Sequence, residues 1–202
     1  MSARVHSILQ FGVATFGLLS LGGCAPPIYF AKATHGTIVD AETKQPIAGA
    51  VVYANWDLFD ELWGGGSHGV QSLQVTEVVT DKDGNYLVPG WGPKRRPCFT
   101  YLDNSDPYLV ILKSGYVPSG FLNAPSNSWV RVSEANGRAL ELNPFSGTPD
   151  QRYHQLSTLL VKTGHHPEPL KALYDEFIKD VDSADHSESL RASARRLLVP
   201  NE

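Results

Sequence analysis

The sequence predicts a mainly β fold, an antiparallel β-sandwich of about seven short strands, followed by two or three C-terminal helices. Between residues 28 and 122, short runs of β-branched and aromatic residues alternate with turn-forming Gly, Pro, Asn and Asp. After residue 148, apolar residues instead recur at the three- and four-residue spacing of amphipathic helices. The 202 residues suffice for one such domain with a short appendage.

Five segments of the first half have the composition of strands, namely 36–40, 48–56, 71–80, 85–88 and 107–113. The second is rich in Val, Tyr and Trp, which favour half-buried pleated positions. The last contains four consecutive apolar residues at 109–112, a run typical of a strand buried on both faces. Tyr86 and Val88 lie two residues apart, so both are expected to face the core.

The segment Asp-Lys-Asp-Gly-Asn at 81–85 is predicted to be a tight turn between two of these strands. Asp81 and Asp83 can accept backbone N–H groups, and Gly84 can adopt the positive φ that such turns require. The alternative is a calcium loop of the EF-hand type. That loop needs a bidentate Glu at its twelfth position, which counted from Asp81 is Gly92. The turn is therefore favoured.

The C-terminal part is predicted to contain three helices after an irregular segment at 124–149, which is rich in Ser, Asn, Gly and Pro. Thr148 and Gln151 have the spacing of a capping box at the start of the first helix. Pro167 opens the second, and the third spans 187–198. The residues of the apolar stripes are Tyr153, Leu156 and Leu160, then Leu170, Leu173, Tyr174, Phe177, Ile178 and Val181, then Leu190, Ala194 and Leu197. We expect these stripes to pack on the sandwich or on one another, the alternative being a partner protein.

An apolar N-terminal stretch ends at a cysteine. Residues 8–21 are too few and too interrupted to span a membrane, but they have the length of a signal-peptide core. Gly22 and Gly23 precede Cys24, where a secretory signal is normally cut. This arrangement resembles a bacterial lipobox. The resemblance implies that residues 1–23 are removed and that the Cys24 thiol receives a diacylglyceryl group. It also implies that the new amino terminus is acylated. Incorporation of labelled palmitate would report this modification.

The lipobox resemblance also implies a location in the bacterial cell envelope. Residues 24–27 would tether the domain to the membrane through the lipid anchor at Cys24, which several acyl chains make stable at about 0.8 kcal/mol per buried CH2. Ala25 stands where lipoproteins retained in the inner membrane commonly carry Asp, so we expect the outer membrane, with the domain facing the periplasm. The alternatives are an ordinary cleaved signal with a chance cysteine and an uncleaved anchor.

Three segments, 36–52, 80–86 and 109–116, resemble the successive signatures of carboxypeptidase regulatory-like domains. They occur in order, the third ends in a Gly-Tyr pair, and together they cover roughly half of the chain. The resemblance implies a transthyretin-like antiparallel sandwich over residues 28–123, with 124–202 as an irregular segment and helical extension. It implies little about function, because one fold serves many functions.

No catalytic residue, metal ligand or cofactor is predicted. The transthyretin-like hydroxyisourate hydrolases carry a C-terminal Tyr-Arg-Gly-Ser tetrapeptide, whereas this sequence ends in Leu-Val-Pro-Asn-Glu, so no catalytic role is carried over. The histidines after the leader do not form the spacings of metal sites. The sequence also lacks a Gly-x-Ser-x-Gly elbow and a glycine-rich phosphate loop.

The charge pattern does not predict a nucleic-acid partner. The formal charge is −4, from 17 basic and 21 acidic residues. The basic run at 94–96 lies among prolines and is predicted to be a solvated loop. If Cys24 is acylated, Cys98 has no cysteine partner in the chain, and we expect it to be a small buried apolar residue.

The segment 58–69 is the most function-like part of the sequence, because a glycine-rich stretch lies between two predicted strands. Trp56, Trp63, His68 and Trp91 are the candidate ligand-binding residues of this region. Their rings can stack on sugars or peptides at a loop end. The alternative is a small aromatic core that closes one end of the sandwich.

Two functional hypotheses follow. The first is a non-enzymatic binding or structural module of the envelope, whose partner is an envelope protein or a glycan. The second is a hydrolase or metal-assisted enzyme with His68, Asp57, Asp60 and Glu61 in a site at the 57–69 loop. Only a folded geometry can bring these residues together.

Overall fold

The computed structural model describes residues 27–60, 71–163 and 170–199. These residues form eleven strands and three helices. The strands are β1 Ile28–Ala31, β2 Thr34–Asp40, β3 Val51–Asp60, β4 Gln71–Val79, β5 Asn85–Val88, β6 Trp91–Arg95, β7 Thr100–Leu102, β8 Tyr108–Leu112, β9 Ser119–Phe121, β10 Val130–Arg131 and β11 Arg138–Leu142. The helices are α1 Pro149–Thr163, α2 Lys171–Val181 and α3 Ser187–Leu198. The mainly β architecture with three C-terminal helices confirms the predicted fold class.

The strands are arranged in three sheets. The largest has the order β4-β3-β8-β9, with β7 also paired to β3, and the two smaller sheets have the orders β10-β1-β6 and β11-β2-β5. Most neighbours are antiparallel, as predicted. Two pairs, β1 with β10 and β2 with β11, are parallel.

Both parallel partners come from the segment 124–149, which the sequence predicts to be irregular. β10 has only two residues, too few for a pattern to be recognised. β11 has the sequence Arg-Ala-Leu-Glu-Leu, and all five of its residues align in register with β2 from Gly36 to Asp40. Strand pairing across about a hundred residues is a tertiary property, so local composition does not reveal it.

The central strands β3 and β8 are buried on both faces, as the apolar run at 109–112 predicts. The side chains of one face form a core with the smaller sheets, and those of the other face form a core with the helices. On the first face lie Val52, Ala54, Trp56, Leu58, Leu109 and Ile111. On the second lie Val51, Tyr53, Val110 and Leu112, packed against Leu156, Leu173, Phe177 and Leu190. The helical stripes therefore pack on the sandwich and on one another, as expected.

The predicted signals at the start of α1 and in the β4–β5 turn are confirmed. Thr148 and Gln151 form a reciprocal capping box, with N···O distances of 2.8 and 3.3 Å. Asp81 Oδ1 accepts the backbone N–H groups of Asp83 and Asn85, each at 2.9 Å. The Asn85 N–H in particular lowers the pKa of the Asp81 carboxyl. Gly84 has φ of +73°, and a Cβ there would lie 2.7 Å from a backbone oxygen, so the turn requires glycine.

Carboxylates hold the start and the middle of α2 against the strands of the large sheet and the turn after β8. At its start, the Glu77 carboxylate of β4 accepts the N–H groups of Ala172 and Leu173, each at 2.9 Å. This long-range cap satisfies donors that a helix leaves free at its N-terminus. In the middle of α2, Glu176 accepts the Ser114 N–H at 2.8 Å and forms an ion pair with Lys113 at 3.4 Å. Burial disfavours the charged form of Glu176, but the contacts with Lys179, Ser114 and Lys113 together lower its pKa.

Asp180 of α2 joins three parts of the chain. Its carboxylate forms a buried ion pair with Arg152 of α1 and accepts hydrogen bonds from the Ser114 hydroxyl at 3.0 Å and the Gly115 N–H at 3.1 Å. Arg152 also donates to the Tyr116 carbonyl oxygen at 2.7 Å. The Tyr116 hydroxyl in turn donates to Asp40 at the end of β2, at 2.9 Å. The turn after β8 therefore connects the helices to the sandwich.

We expect Arg152→Met to lower the free energy of unfolding by about 3–5 kcal/mol, because it leaves the Asp180 carboxylate buried without its cation. Arg152 itself is 0% exposed, so water cannot replace the lost partner. Chemical denaturation followed by circular dichroism measures the change.

The matched control is Arg191→Met, which removes the arginine of an exposed ion pair with Asp182 in the same helical layer. An exposed pair contributes about 0–1 kcal/mol. Equal losses of stability in the two variants would contradict the structural role assigned to Arg152.

Candidate functional site

Of the tryptophans described in the structure, Trp56 is buried, Trp91 is half-buried and Trp129 is exposed. Trp56 is 1% exposed and meets the half-buried Trp91 edge to face, with ring centroids 5.3 Å apart and an interplanar angle of 87°. The Lys94 ammonium lies 5.9 Å from the centroid of the Trp91 ring. A ligand cannot stack on Trp56 in this arrangement, whereas part of Trp91 is accessible. Trp63, His68 and Cys24 lie outside the described residues.

The basic run is not a loop at its start, in contrast to the prediction. Lys94 and Arg95 belong to β6, which pairs antiparallel with β1 through Tyr29 and Ile28. Lys94 is half-buried and donates to the Gln74 side chain, while Arg95 is exposed. Local proline content suggested a loop, but β1 supplies the pairing partner that makes this segment a strand.

The expectation for Cys98 is wrong. Cys98 is exposed and takes part in a disulfide. It lies in the turn between β6 and β7, next to Phe99, which has a positive φ of 61° and is 56% exposed. The sequence contains one other cysteine, Cys24.

Acidic residues gather at the end of the sandwich where β3 leads into the segment 61–70. Asn55 Nδ2 donates to Asp57 Oδ1 at 2.6 Å, and the Asp103 N–H donates to the Asp57 carbonyl oxygen at 3.0 Å. Of the residues predicted for an enzyme site, Asp57 lies here. The side chain of Asp60 lies outside the described part of the structure, and so do the whole of Glu61 and His68.

Asp106 is the buried carboxyl of this acidic end. It is 5% exposed and lies 3.1 Å from Arg131 Nε, itself in a buried side chain. Burial raises the pKa of Asp106 to about 7; the Arg131 guanidinium opposes the rise, and Asp103 and Asp57 add to it. Sequence patterns could not reveal this group, because its environment comes from β3, the β7–β8 connection and β10.

A groove with both apolar and polar walls lies between α1 and the β8–β9 edge. Its volume is about 310 Å³. The lining residues include Tyr108, Val110, Gly120, His154, Thr158 and Lys162. β9 is the last strand of the large sheet, so the groove runs beside a sheet edge. A second depression, of about 380 Å³, continues past His154 and Gln155 to Phe145.

The groove has the chemistry of a binding surface. Tyr108, Val110 and Leu159 supply apolar area, and Thr158 and Gln155 supply hydrogen-bonding groups. The Lys162 ammonium lies 5.7 Å from the Tyr108 ring centroid, which places a cation at one end. His154 Nε2 lies 3.5 Å from Asp150 Oδ1 at the other end.

One feature of the sequence, other than the apolar stripes, indicates the helical wall of this groove. His154, Thr158 and Lys162 recur every four residues, so they share one face of α1. What the spacing could not show is that this face borders β9. That placement depends on how Arg152 docks the helix.

In the ranges 27–60, 71–163 and 170–199, the structure contains no group of three or more His, Cys, Asp or Glu side chains that could hold a metal ion. None of the helices in these ranges is long and apolar enough to cross a membrane.

Comparison with known proteins gives no family. No model of a protein family matches the chain, and no curated protein sequence matches it. Solved structures that resemble it include catechol 1,2-dioxygenase from Acinetobacter sp. ADP1, at 12% identity and a TM-score of 0.34, covering 61% of this chain and 55% of that one. Others are a streptococcal ancillary pilin, at 20% identity, TM-score 0.31 and coverages of 60% and 31%, and the shaft pilin SpaA from Lactobacillus rhamnosus GG, at 16% identity, TM-score 0.29 and coverages of 61% and 48%.

These similarities are compatible with a β-sandwich and carry no argument about function. The matches span about a third to just over half of the solved chains. They are an enzyme and two pilins, which are functionally unrelated.

The acidic end predicts a pH dependence of stability. Asp106 titrates near 7 in the folded chain and near 3.8 in the unfolded one, so the folded state binds more protons between these values. The contribution of Asp106 to the free energy of unfolding is therefore fully present below about pH 4 and is lost as pH rises through 7. In Asp106→Asn this slope should disappear, as measured by denaturation at a series of pH values.

Asp175→Asn, at an exposed position of α2, is the control and should keep the slope. A wild-type slope in Asp106→Asn would show that another group is responsible.

Proposed function

We propose that this chain is a non-enzymatic lipoprotein of the bacterial envelope, in which acyl chains at Cys24 hold a binding or structural module at the membrane. The observation that carries the proposal is the Leu-Gly-Gly-Cys sequence at 21–24, at the end of an apolar leader. The expected location is the outer membrane, with the module facing the periplasm.

We further propose that the module is a carboxypeptidase regulatory-like domain with a transthyretin-like fold. In support, the segment 36–52 contains most of β2 and the start of β3, 80–86 contains the β4–β5 turn, and 109–116 contains most of β8 and the turn after it. The Gly-Tyr pair of the third segment has a physical role here, because Gly115 and Tyr116 bond to Asp180 and Asp40.

The binding surface that fits this proposal best is the groove between α1 and β9. It combines apolar walls, hydrogen-bonding side chains and the cation of Lys162 within about 310 Å³. An extended peptide segment of an envelope protein or a glycan chain matches these features. Trp91 is a second candidate contact, through the part of its ring that remains accessible.

The alternative is a hydrolase or metal-assisted enzyme with a site at the 57–69 loop. One observation favours it, because Asp57 lies near a buried carboxyl, Asp106, whose pKa is raised to about 7. Metal bound to the purified protein, or a hydrolytic activity that His68→Ala abolishes, would support the enzyme.

The disulfide of Cys98 is the strongest alternative to the proposed lipidation of Cys24. β1 and β6 run antiparallel with Ile28 opposite Arg95, and Arg95 precedes Cys98 by three residues. A Cys24 sulfur that carries a diacylglyceryl group forms a thioether and cannot form a disulfide with Cys98. The two modifications of Cys24 therefore exclude each other within one molecule.

Intact mass spectrometry of the protein purified from bacterial membranes decides between them. We expect a chain that begins at Cys24 with diacylglyceryl and acyl groups added, and radiolabelled palmitate incorporation that Cys24→Ala abolishes. Cys98→Ala is the control and should retain the label. A mass that includes residues 1–23, a lipid-free mature chain, or a loss of two hydrogens from a Cys24–Cys98 disulfide would each contradict the proposal.

A further inference from the structure

We infer that the outward face of the β10-β1-β6 sheet contacts the phospholipid surface of the membrane that holds the anchor. The inference rests on the proposed lipidation of Cys24 and extends it, because it fixes which side of the domain faces the lipid. Three observations carry it: the length of the tether, an exposed apolar surface on β1 and β10, and cations beside that surface.

The short tether keeps the start of β1 close to the bilayer. Cys24 precedes Ile28, the first residue of β1, by four positions, and an extended chain covers at most about 14 Å over that length. The headgroup layer on each side of a bilayer is itself roughly 5–8 Å thick. Whatever the conformation of the tether, the start of β1 therefore lies within about 14 Å of the lipidated residue, roughly two headgroup thicknesses.

The outward face of this sheet is apolar where an ordinary surface strand would be polar. Phe30 of β1 and Val130 of β10 are register partners, and their side chains are 42% and 40% exposed. Trp129, whose carbonyl oxygen accepts the Phe30 N–H, is 63% exposed. Their neighbours Tyr29 and Arg131 are buried on the inner face.

Phe30 is held in this position by its neighbour in β6. A Cβ at Gly92 would lie 2.6 Å from the Phe30 ring, so the ring packs directly on the glycine backbone. Rigid aromatic residues at the level of the headgroups are typical of protein surfaces that border a membrane. Phe30, Val130 and Trp129 together form what we call the β1 apolar surface.

Cations accompany the β1 apolar surface although the whole chain is acidic. Arg95 is exposed and lies opposite Ile28, where the tether reaches the domain, and Lys32 is exposed just beyond the end of β1. A lysine or arginine near an anionic membrane contributes about 1 kcal/mol of attraction. Apolar contact and positive charge at the end of a short tether favour a membrane with anionic phospholipids over a protein partner.

The test places the full-length lipidated protein in vesicles of phosphatidylethanolamine and phosphatidylglycerol that contain a phospholipid brominated near the headgroup. Bromine quenches tryptophan emission on contact. We expect the wild-type emission to be quenched relative to unbrominated vesicles, and Trp129→Phe to lose at least half of that quenching. Circular dichroism checks that each variant is folded.

The matched control adds Val161→Trp to Trp129→Phe. Val161 is 67% exposed on α1, and the helices lie on the opposite side of the large sheet from β1. This new tryptophan should not be quenched. Replacement of Lys32 and Arg95 by Gln should reduce the quenching in anionic vesicles and leave it unchanged in vesicles of phosphatidylcholine alone.

The mass spectrum of the same sample distinguishes a failure of this inference from a failure of the proposed lipidation of Cys24. If the chain is lipidated but Trp129→Phe is quenched as strongly as the wild type, or the tryptophan at 161 is quenched equally, the inference is wrong and the anchor stands. If no lipid is attached, the proposed function fails, and the inference fails with it because nothing then brings β1 to the membrane.

Discussion

The Asp180 carboxylate is the point where the helices and the sandwich are joined. It belongs to α2, pairs with Arg152 of α1, and accepts hydrogen bonds from Ser114 and Gly115 in the turn after β8. A buried charge is costly unless it is paired and hydrogen-bonded, and here both of its oxygens have partners. Tyr116 extends the connection to Asp40 at the end of β2. The apolar packing of the helices on β3 and β8 is non-directional, so these polar bonds define the orientation of the helical layer.

The groove depends on that orientation. Its two walls are α1 and the β8–β9 edge. Arg152 docks the first turn of α1 next to Tyr116, only a few residues from the start of β9. A change in the helical layer would therefore alter the groove without touching a lining residue. The face of the large sheet that packs on the two smaller sheets is independent of this, because its core does not include the helices.

Local features of the sequence predicted local structure well. The capping box at Thr148, the Asp81 turn and the three helical stripes are short-range patterns whose physics is contained in a few residues. Long-range pairings were not predictable in the same way. The segment of β11 forms a strand because it pairs with β2, and Lys94 and Arg95 belong to a strand because their segment pairs with β1.

Arg152 lies among polar residues in the sequence, yet it is fully buried because two other elements supply its partners. The groove and the raised pKa of Asp106 arise only when distant segments of the chain pack together in the fold. The candidate residues Trp63 and His68 lie outside the described residues.

The pairing of β1 has a mechanical consequence. β1 is hydrogen-bonded on both sides, antiparallel to β6 and parallel to β10, and it is the strand nearest to Cys24. Its inter-strand bonds lie across the direction of the chain. If Cys24 carries the proposed lipid anchor, a pull on the domain away from the membrane loads these bonds together in shear instead of opening them one after another. Under that proposal, the pairing of β1 resists a pull along the axis of the strand.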